Sequence, residues 1–463
     1  MRPDCSETVV VGDGAAELER RTMRKVRRRI VPLMVLLYVI AYIDRNNVGF
    51  AKPYMSEDLG LSNAAYGFGA GVFFIGYVLM EVPSNAGMYR FGARRWIARI
   101  LISWGMLACA MALVTGETSF YVIRFLLGAA EAGFFPAVLF YFTLWFPAQQ
   151  RVSVLGLFVM AQPVANAVGS PLSGLLLTLE GWGGWHGWQW MYVIEGLPAV
   201  VIGLLAPRLL TDRPSEATWL NSDERAWLVR TMDVEFAAKS VSSLHPFWTA
   251  LKDPRAWTYG ALNCGMACGI YGLGLWLPTI VAGMREYSGS SSTALGLLVM
   301  IPYAVAIPFV YHWARRAERT GLRALHASVS LGVAAFGLLG AGYLLSISPV
   351  LALTFLSIAA TGIYSAIGPF LSMPSALYAG AAAAAGLGLM NSLGNIGGFV
   401  APLVVGMIKD HTHNDQIALT FLATCLAVTA VCTYLFARRR PEGDAGIEAA
   451  SIQAAARQPE ISA

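Results

Sequence analysis

Ala41-Tyr-Ile-Asp-Arg-Asn-Asn-Val-Gly49 closes an apolar run that begins at Ile30. The run is about 20 residues long, the length an α-helix needs to cross a hydrocarbon core. Asp44 and Arg45 therefore fall inside a membrane or at its edge, where a charge costs a few kcal/mol unless it is paired or hydrated. Two readings stay open here. The adjacent charges serve a function, or they neutralise each other and mark the end of the helix.

The rest of the chain agrees with a membrane setting. Of its 463 residues 56% are hydrophobic and 13% charged, against about 25% charged in soluble domains. This is the composition of a polytopic membrane protein. The 47 glycines suit close helix approach. Cys264 and Cys268 are one turn apart, but no His or second Cys pair accompanies them, so no metal site is expected. The net charge of +5 comes mostly from basic loops, which orient membrane proteins, and no nucleic-acid partner is expected. Residues 1–20 are polar and the first apolar run lacks a small-residue cleavage site, so that run is expected to stay as a helix.

Apolar spans follow at 30–50, 66–88, 96–115, 119–142, 152–175 and 190–207, then at 256–283, 293–312, 324–346, 350–376, 385–408 and 416–437. The pattern predicts an all-α membrane protein with twelve transmembrane helices in two six-helix bundles. The expected parts are a basic tail (1–29), a first bundle (30–207), a linker (208–255), a second bundle (256–437) and a second tail (438–463). The basic block Arg20 to Arg29 and the clusters at Arg90, Arg94, Arg95, Arg151, Arg208, Arg213, Arg315, Arg316, Arg319, Arg323 and Arg438 to Arg440 all fall on one side. By the positive-inside rule that side is the cytoplasm, and it holds both termini. The other side carries only Lys52, Arg285 and Lys409, each beside acidic residues such as Glu286. Within the linker, the segment from Ser222 to Arg230 has the pattern of a short amphipathic helix. Trp182, Trp185, Trp188 and Trp190 suit anchoring at the membrane interface.

Ionisable residues deep in the spans are Asp44, Arg45, Glu81, Arg124, Glu131 and Glu195, all in the first bundle. The second bundle offers neutral groups in its place: Asn263, Tyr271, Tyr303, Tyr364, Ser372, Asn391 and Asn395. One wall of a central cavity can thus hold an anion and trade a proton, and the other can only hydrogen-bond. Arg124 and Glu131 are seven residues apart, close to two turns, and share a helix face. A guanidinium presents a planar fork that fits a carboxylate. A buried carboxyl beside it is pulled both ways between its charged and neutral forms, as proton coupling requires. A structural salt bridge between the first and fourth helices is the competing reading. Glu81 and Glu195 are expected as structural or gating partners, and Tyr42, Tyr77 and Gln162 as neutral polar groups at similar depth. No nucleotide loop, metal-binding His cluster or nucleophile elbow is found, so the chain reads as no enzyme. Transport would then run on an ion gradient or on the substrate's own gradient, without a cofactor.

These segments resemble the major facilitator superfamily and, within it, the anion:cation symporter family, over Arg28 to Arg440. The carrying stretches are Tyr42 to Gly49, Glu81 to Asn85, Arg90 to Arg99, Arg124 to Gly133, Trp188 to Pro198, Trp276 to Pro278 and Asn391 to Gly398. The resemblance implies import of small organic anions with protons by alternating access, in a bacterial inner membrane, by a chain that works as a monomer among membrane lipids. Family substrates include tartrate, phthalate, hydroxyphenylacetate and sugar acids. It implies that Arg45 and Arg124 hold the carboxylate, that Asp44 and Glu131 carry protons, and that Tyr42, Tyr77, Gln162 and Asn391 line the substrate. An exchanger or exporter of the same fold is the alternative. Arg90, Gly92 and Arg94 keep the superfamily's loop pattern, while Tyr89 stands where an Asp is usual. Leu371 stands where the family often has Trp, and Pro374 closes that segment.

Overall fold

The computed structural model describes residues 6–242, 252–284, 291–373 and 380–438. The expectations placed on residues 243–251 of the linker, on Arg285 and Glu286, on Pro374 and on the tail from Arg439 lie outside these residues. No strand occurs among the described residues. Backbone polar groups in a hydrocarbon layer have no water to bond, and a helix satisfies them within itself.

The first helix, α1, runs over Ser6–Leu59, well beyond the expected 30–50. Gly49 does not end it. A Cβ at Gly49 would stand 2.7 Å from the Leu275 carbonyl oxygen, so this glycine marks a close helix crossing. The longer helix also corrects the placement of Lys52. Expected in an outer loop, it is 7% exposed. Its Nζ donates to Asn63 Oδ1 at 2.8 Å and lies over the rings of Tyr66 and Trp276.

Next come α2 (Asn63–Phe91), α3 (Ala93–Ala110), α4 (Glu117–Glu131), α5 (Phe134–Trp145), α6 (Ala148–Leu176) and α7 (Gly187–Leu209). The linker helix α8 (Ser222–Ser242) extends the amphipathic segment. Its Glu224 bonds Arg21 at 3.0 Å and Lys25 at 2.8 Å, and Glu235 bonds Arg151 at 2.9 Å. These contacts hold the linker to the basic end of the first half. Burial alone would raise the Glu224 carboxyl, but Lys25, the Asn221 amide and Arg21 hold it below the usual range. The second half comprises α9 (Pro254–Ala282), α10 (Ser292–Thr320), α11 (Arg323–Leu344), α12 (Pro349–Ser372), α13 (Gly380–Thr412) and α14 (Asp415–Arg438). Ser62, Asp253, Ser291 and Ser348 each accept a backbone N–H in the first turn that follows, as N-caps do.

Eleven helical spans among the described residues are long and apolar enough to cross a membrane, with α4 and α5 forming one span. α1 is not among the eleven, yet it packs with them, against α6, α7 and α9. The expected span 119–142 is broken where Gly133 takes φ 87°. A Cβ there would meet Ser84 Oγ at 2.2 Å, so the chain bends at a residue that can approach α2. The break leaves Glu131 as the last residue of α4.

Within the first half α3 lies along α7 and α2 along α4; within the second, α12 and α14 flank α11, and α13 lies along α9. The halves meet through α2 with α13, α6 with α10, and α1 with α9. Contact is tightest at the end where α2 begins. A Cβ at Gly67 would fall 2.3 Å from the Pro402 oxygen, and one at Gly174 would fall 2.5 Å from the Ser292 oxygen. Asp410, near the end of α13, accepts from the backbone N–H groups of Asn63 at 3.0 Å and Ala64 at 2.7 Å, and so caps α2 from the other half. Further bonds join Tyr66 to the Leu275 carbonyl (3.1 Å), Asn166 to Tyr364 (2.7 Å) and Asn391 to Glu81 (2.5 Å). Beyond Glu81, Val82, Tyr89 and Phe91 of α2 are exposed. The described contacts between the halves are thus closest at the start of α2.

Candidate functional site

A cavity of about 130 Å³ lies between the halves. From the first half it is lined by Tyr38, Tyr42, Arg45, Tyr77, Glu131 and Gln162, and from the second by Asn263, Tyr271, Leu371, Asn391 and Asn395, among others. Of the charges expected on one wall, Arg45 and Glu131 line this cavity, and of the neutral groups expected on the other, Asn263, Tyr271, Asn391 and Asn395 do.

Arg45 is the centre of the charged wall. Its Nη2 is bonded to Glu131 Oε1, and its Nη1 donates to the Tyr271 hydroxyl at 3.1 Å. The guanidinium lies over the rings of Tyr42 (5.0 Å), Phe73 (5.3 Å) and Tyr77 (5.6 Å), whose faces favour a cation. It is 9% exposed, and Glu131 is 1% exposed. The competing reading from the sequence, a bridge between the first and fourth helices, is therefore present, but at the cavity wall. Glu131 Oε2 has no partner among the described residues.

Arg124 is not brought to the cavity. It is fully buried, donates to the carbonyls of Gly69 (3.4 Å) and Ala70 (3.2 Å), and lies over the Phe73 ring at 4.9 Å. One aromatic ring, Phe73, thus carries both guanidiniums, and of the two only Arg45 lines the cavity. Sharing a face with Glu131 did not bring Arg124 to the lining, because α2 backs directly onto it. Asp44 also faces inward to its own half. It accepts from Trp104 Nε1, and from Asn47 Nδ2 at 3.3 Å. Glu195, 4% exposed, accepts from the Ser173 hydroxyl at 2.7 Å.

Glu81 stands behind Asn391, whose Nδ2 donates to it at 2.5 Å; Ser392 Oγ donates at 3.2 Å. This pair ties the halves together at the level of the cavity. Gly92 has φ 85° and joins α2 to α3. The backbone N–H of Arg94 donates to Asp212 Oδ1 at 2.9 Å, and the exposed Arg90 lies over the Phe91 ring. An acid from beyond α7 thus serves the loop where Tyr89 replaces the usual Asp. Of the four tryptophans, Trp182 and Trp185 each pack at a tilt against Trp190, while Trp188 is buried and donates to Asp58 at 2.6 Å.

Sequence reasoning missed Tyr38 and Asn166. The Tyr38 and Tyr42 hydroxyls are 3.4 Å apart. Asn166 donates to Tyr364 at 2.7 Å and accepts from Asn46 at 2.7 Å. Each stands four residues from a residue already singled out, Tyr42 and Gln162, and that spacing alone places it on the same face. It also passed over His326, which is buried in the second half but bonded to the Leu322 carbonyl, away from the cavity lining.

Two helical halves that share a polar cavity and close over it from one end define a membrane carrier. A sequence profile described as Major Facilitator Superfamily matches residues 34–402, and the chain belongs to that superfamily. It is 45% identical to a protein of Agrobacterium vitis named a putative tartrate transporter, over 92% of this chain and 97% of that one. It is 40% identical to a quinolone resistance transporter of Acinetobacter baumannii, over 90% and 95% of the two chains. Among solved structures, a bacterial homologue of the lysosomal transporter Spinster, in an inward-facing and occupied conformation, matches with a TM-score of 0.68. That match covers 89% of this chain and 97% of the other at 18% identity, and it speaks for the fold. The protein is a transporter and no enzyme, and its eleven apolar spans and bacterial relatives fit an inner-membrane location.

Proposed function

We propose that the protein imports a small organic anion bearing a carboxylate, by proton symport with alternating access, as the anion:cation symporters do. The observation that carries this reading is Arg45, a guanidinium at the wall of the cavity that already holds a carboxylate, Glu131. An incoming carboxylate competes with Glu131 for the same cation. Protonation of Glu131 removes the competitor and leaves Arg45 free to bind substrate. Two ligands that each need the other's help to stay bound move together, which is the thermodynamic content of symport. Asp44 lies outside the lining, behind Trp104 and Asn47, and serves in this reading as a second proton carrier inside the first half. Glu81 with Asn391 works as a gate between the halves.

In the same reading α1 is the first of twelve spans, so that α1–α7 and α9–α14 form two six-span bundles. The arginine clusters put the far end of α2 and both termini in the cytoplasm. The contacts at the start of α2 then close the outer side, as an inward-facing state requires, and the working unit is a monomer that draws on the proton gradient and needs no cofactor.

The test is uptake into proteoliposomes of labelled tartrate, phthalate, a hydroxyphenylacetate and a sugar acid, with and without an inward proton gradient. Accumulation of one acid only with the gradient supports symport. If uptake ignores the gradient and appears only against preloaded substrate, the protein is an exchanger and the proton role given to Glu131 and Asp44 is wrong.

A further inference from the structure

The cavity contains an imbalance of charge that bears on which acids it can hold. Arg45 is its one cation among the described lining residues. The undescribed stretch 374–379 contains no Lys, Arg or His. The next cations lie outside the lining: Arg124 donates to the Gly69 and Ala70 carbonyls behind Phe73, with its Nη1 unpaired among the described residues, and Arg323 donates to the Ser372 carbonyl at 3.3 Å. Besides Tyr271, which Arg45 already bonds, the polar side chains that the second half adds to the lining are three amides. Asn263 Nδ2 donates to the Met390 carbonyl at 3.0 Å, and Asn391 Nδ2 donates to Glu81. Asn395, 8% exposed, has its Nδ2 without a partner among the described residues. The charge nearest this amide wall is itself a carboxylate, Glu81.

From this we infer that the cavity takes an acid with a single carboxylate, whose far end is a neutral hydroxyl-bearing group, and discriminates against dicarboxylates. The inference rests on the reading of Arg45 as a carboxylate anchor and narrows it. One carboxylate replaces Glu131 on Arg45 and is fully paired. A hydroxyl at the far end can both give and take hydrogen bonds, which suits amides such as Asn395. A second carboxylate at that end would be buried opposite amides, with Glu81 behind them and no cation. A buried ionised group without a partner is strongly disfavoured. Relatives named for tartrate, a dicarboxylate, make this a real contest.

Matched pairs decide it. L-threonate and L-tartrate share four hydroxy-acid carbons and differ in that one terminal carboxylate of tartrate is a hydroxymethyl in threonate. D-gluconate and D-glucarate differ in the same way at six carbons. Binding of each to the purified full-length protein is measured by titration calorimetry at one pH. The monoacid of at least one pair is expected to bind tighter than its diacid by at least about tenfold. An Asn395→Lys variant, which places a cation opposite Arg45, should narrow or reverse that ratio. Diacids binding as tightly as monoacids, or tighter, in the native protein overturn the inference and leave the carboxylate anchor standing. Binding of none of the four overturns both.

Discussion

Replacing Glu131 with Gln should separate substrate binding from proton binding. Glutamine keeps the size and one carbonyl oxygen that can accept from Arg45, but it cannot carry a charge or release a proton. In the native protein at alkaline pH an incoming carboxylate must break the Arg45–Glu131 pair, in which Glu131 is 1% exposed. Removing one partner of a buried pair costs about 3–5 kcal/mol. In the variant that competition is gone. Each 1.36 kcal/mol is a factor of ten, so affinity at alkaline pH should rise by at least about a hundredfold. Native affinity should fall about tenfold per pH unit above the titration of Glu131, because one proton must bind with each substrate; the variant's affinity should be nearly flat. The assay is calorimetric titration of purified protein with L-threonate and D-gluconate at a series of pH values from acid to alkaline. Gradient-driven accumulation should disappear while exchange between preloaded and external substrate persists. A variant that keeps the native pH slope would refute the competition at Arg45.

Other substitutions test other parts of the account. Arg45→Lys should lose most uptake, at least about tenfold, because an ammonium cannot reproduce the fork that meets Glu131 and Tyr271 together; initial rates in proteoliposomes check this. Asp410→Ala removes the acceptor that caps α2 from the other half. Loss of a cap costs about 0.5–2 kcal/mol, so the closed end should open about 2- to 30-fold more often. Phe68 of α2 packs against Phe399 of the other half; labelling of a Phe68→Cys variant by a membrane-impermeant maleimide, in a background without other cysteines, should speed up to match, and an unchanged rate counts against the cap. Gly133→Ala forces a side chain into φ 87° and against Ser84. It should lower the thermal midpoint, with a cost of about 1–3 kcal/mol for the backbone alone.

Much of the helical architecture could be read from hydropathy, because a bilayer permits few solutions to the backbone's hydrogen-bonding needs. Six of the buried charges could be read as well, since each interrupts an apolar run. Their directions could not. Arg124 and Glu131 share a face by spacing, yet α2 lies against one and the cavity against the other. Lys52 was misplaced because Gly49 looks like a helix end in sequence and is a crossing with α9 in space. The break at Gly133 has a local signal, a glycine two residues after Glu131, but its cause is the approach to Ser84, about 50 residues earlier. Asp212 taking the part of the missing loop acid is a long-range substitution that no local pattern announces. What the sequence leaves open is in each case set by a partner distant along the chain.

The central claim is that substrate and a proton bind together at Arg45 and Glu131. Its most direct test is proton uptake on ligand binding, followed with a pH-sensitive dye in weakly buffered solution as L-threonate or D-gluconate is added to purified protein. The account predicts about one proton taken up per acid bound near neutral pH in the native protein, and about none in the Glu131→Gln variant. Binding without proton uptake in the native protein, or equal uptake in both, would contradict it.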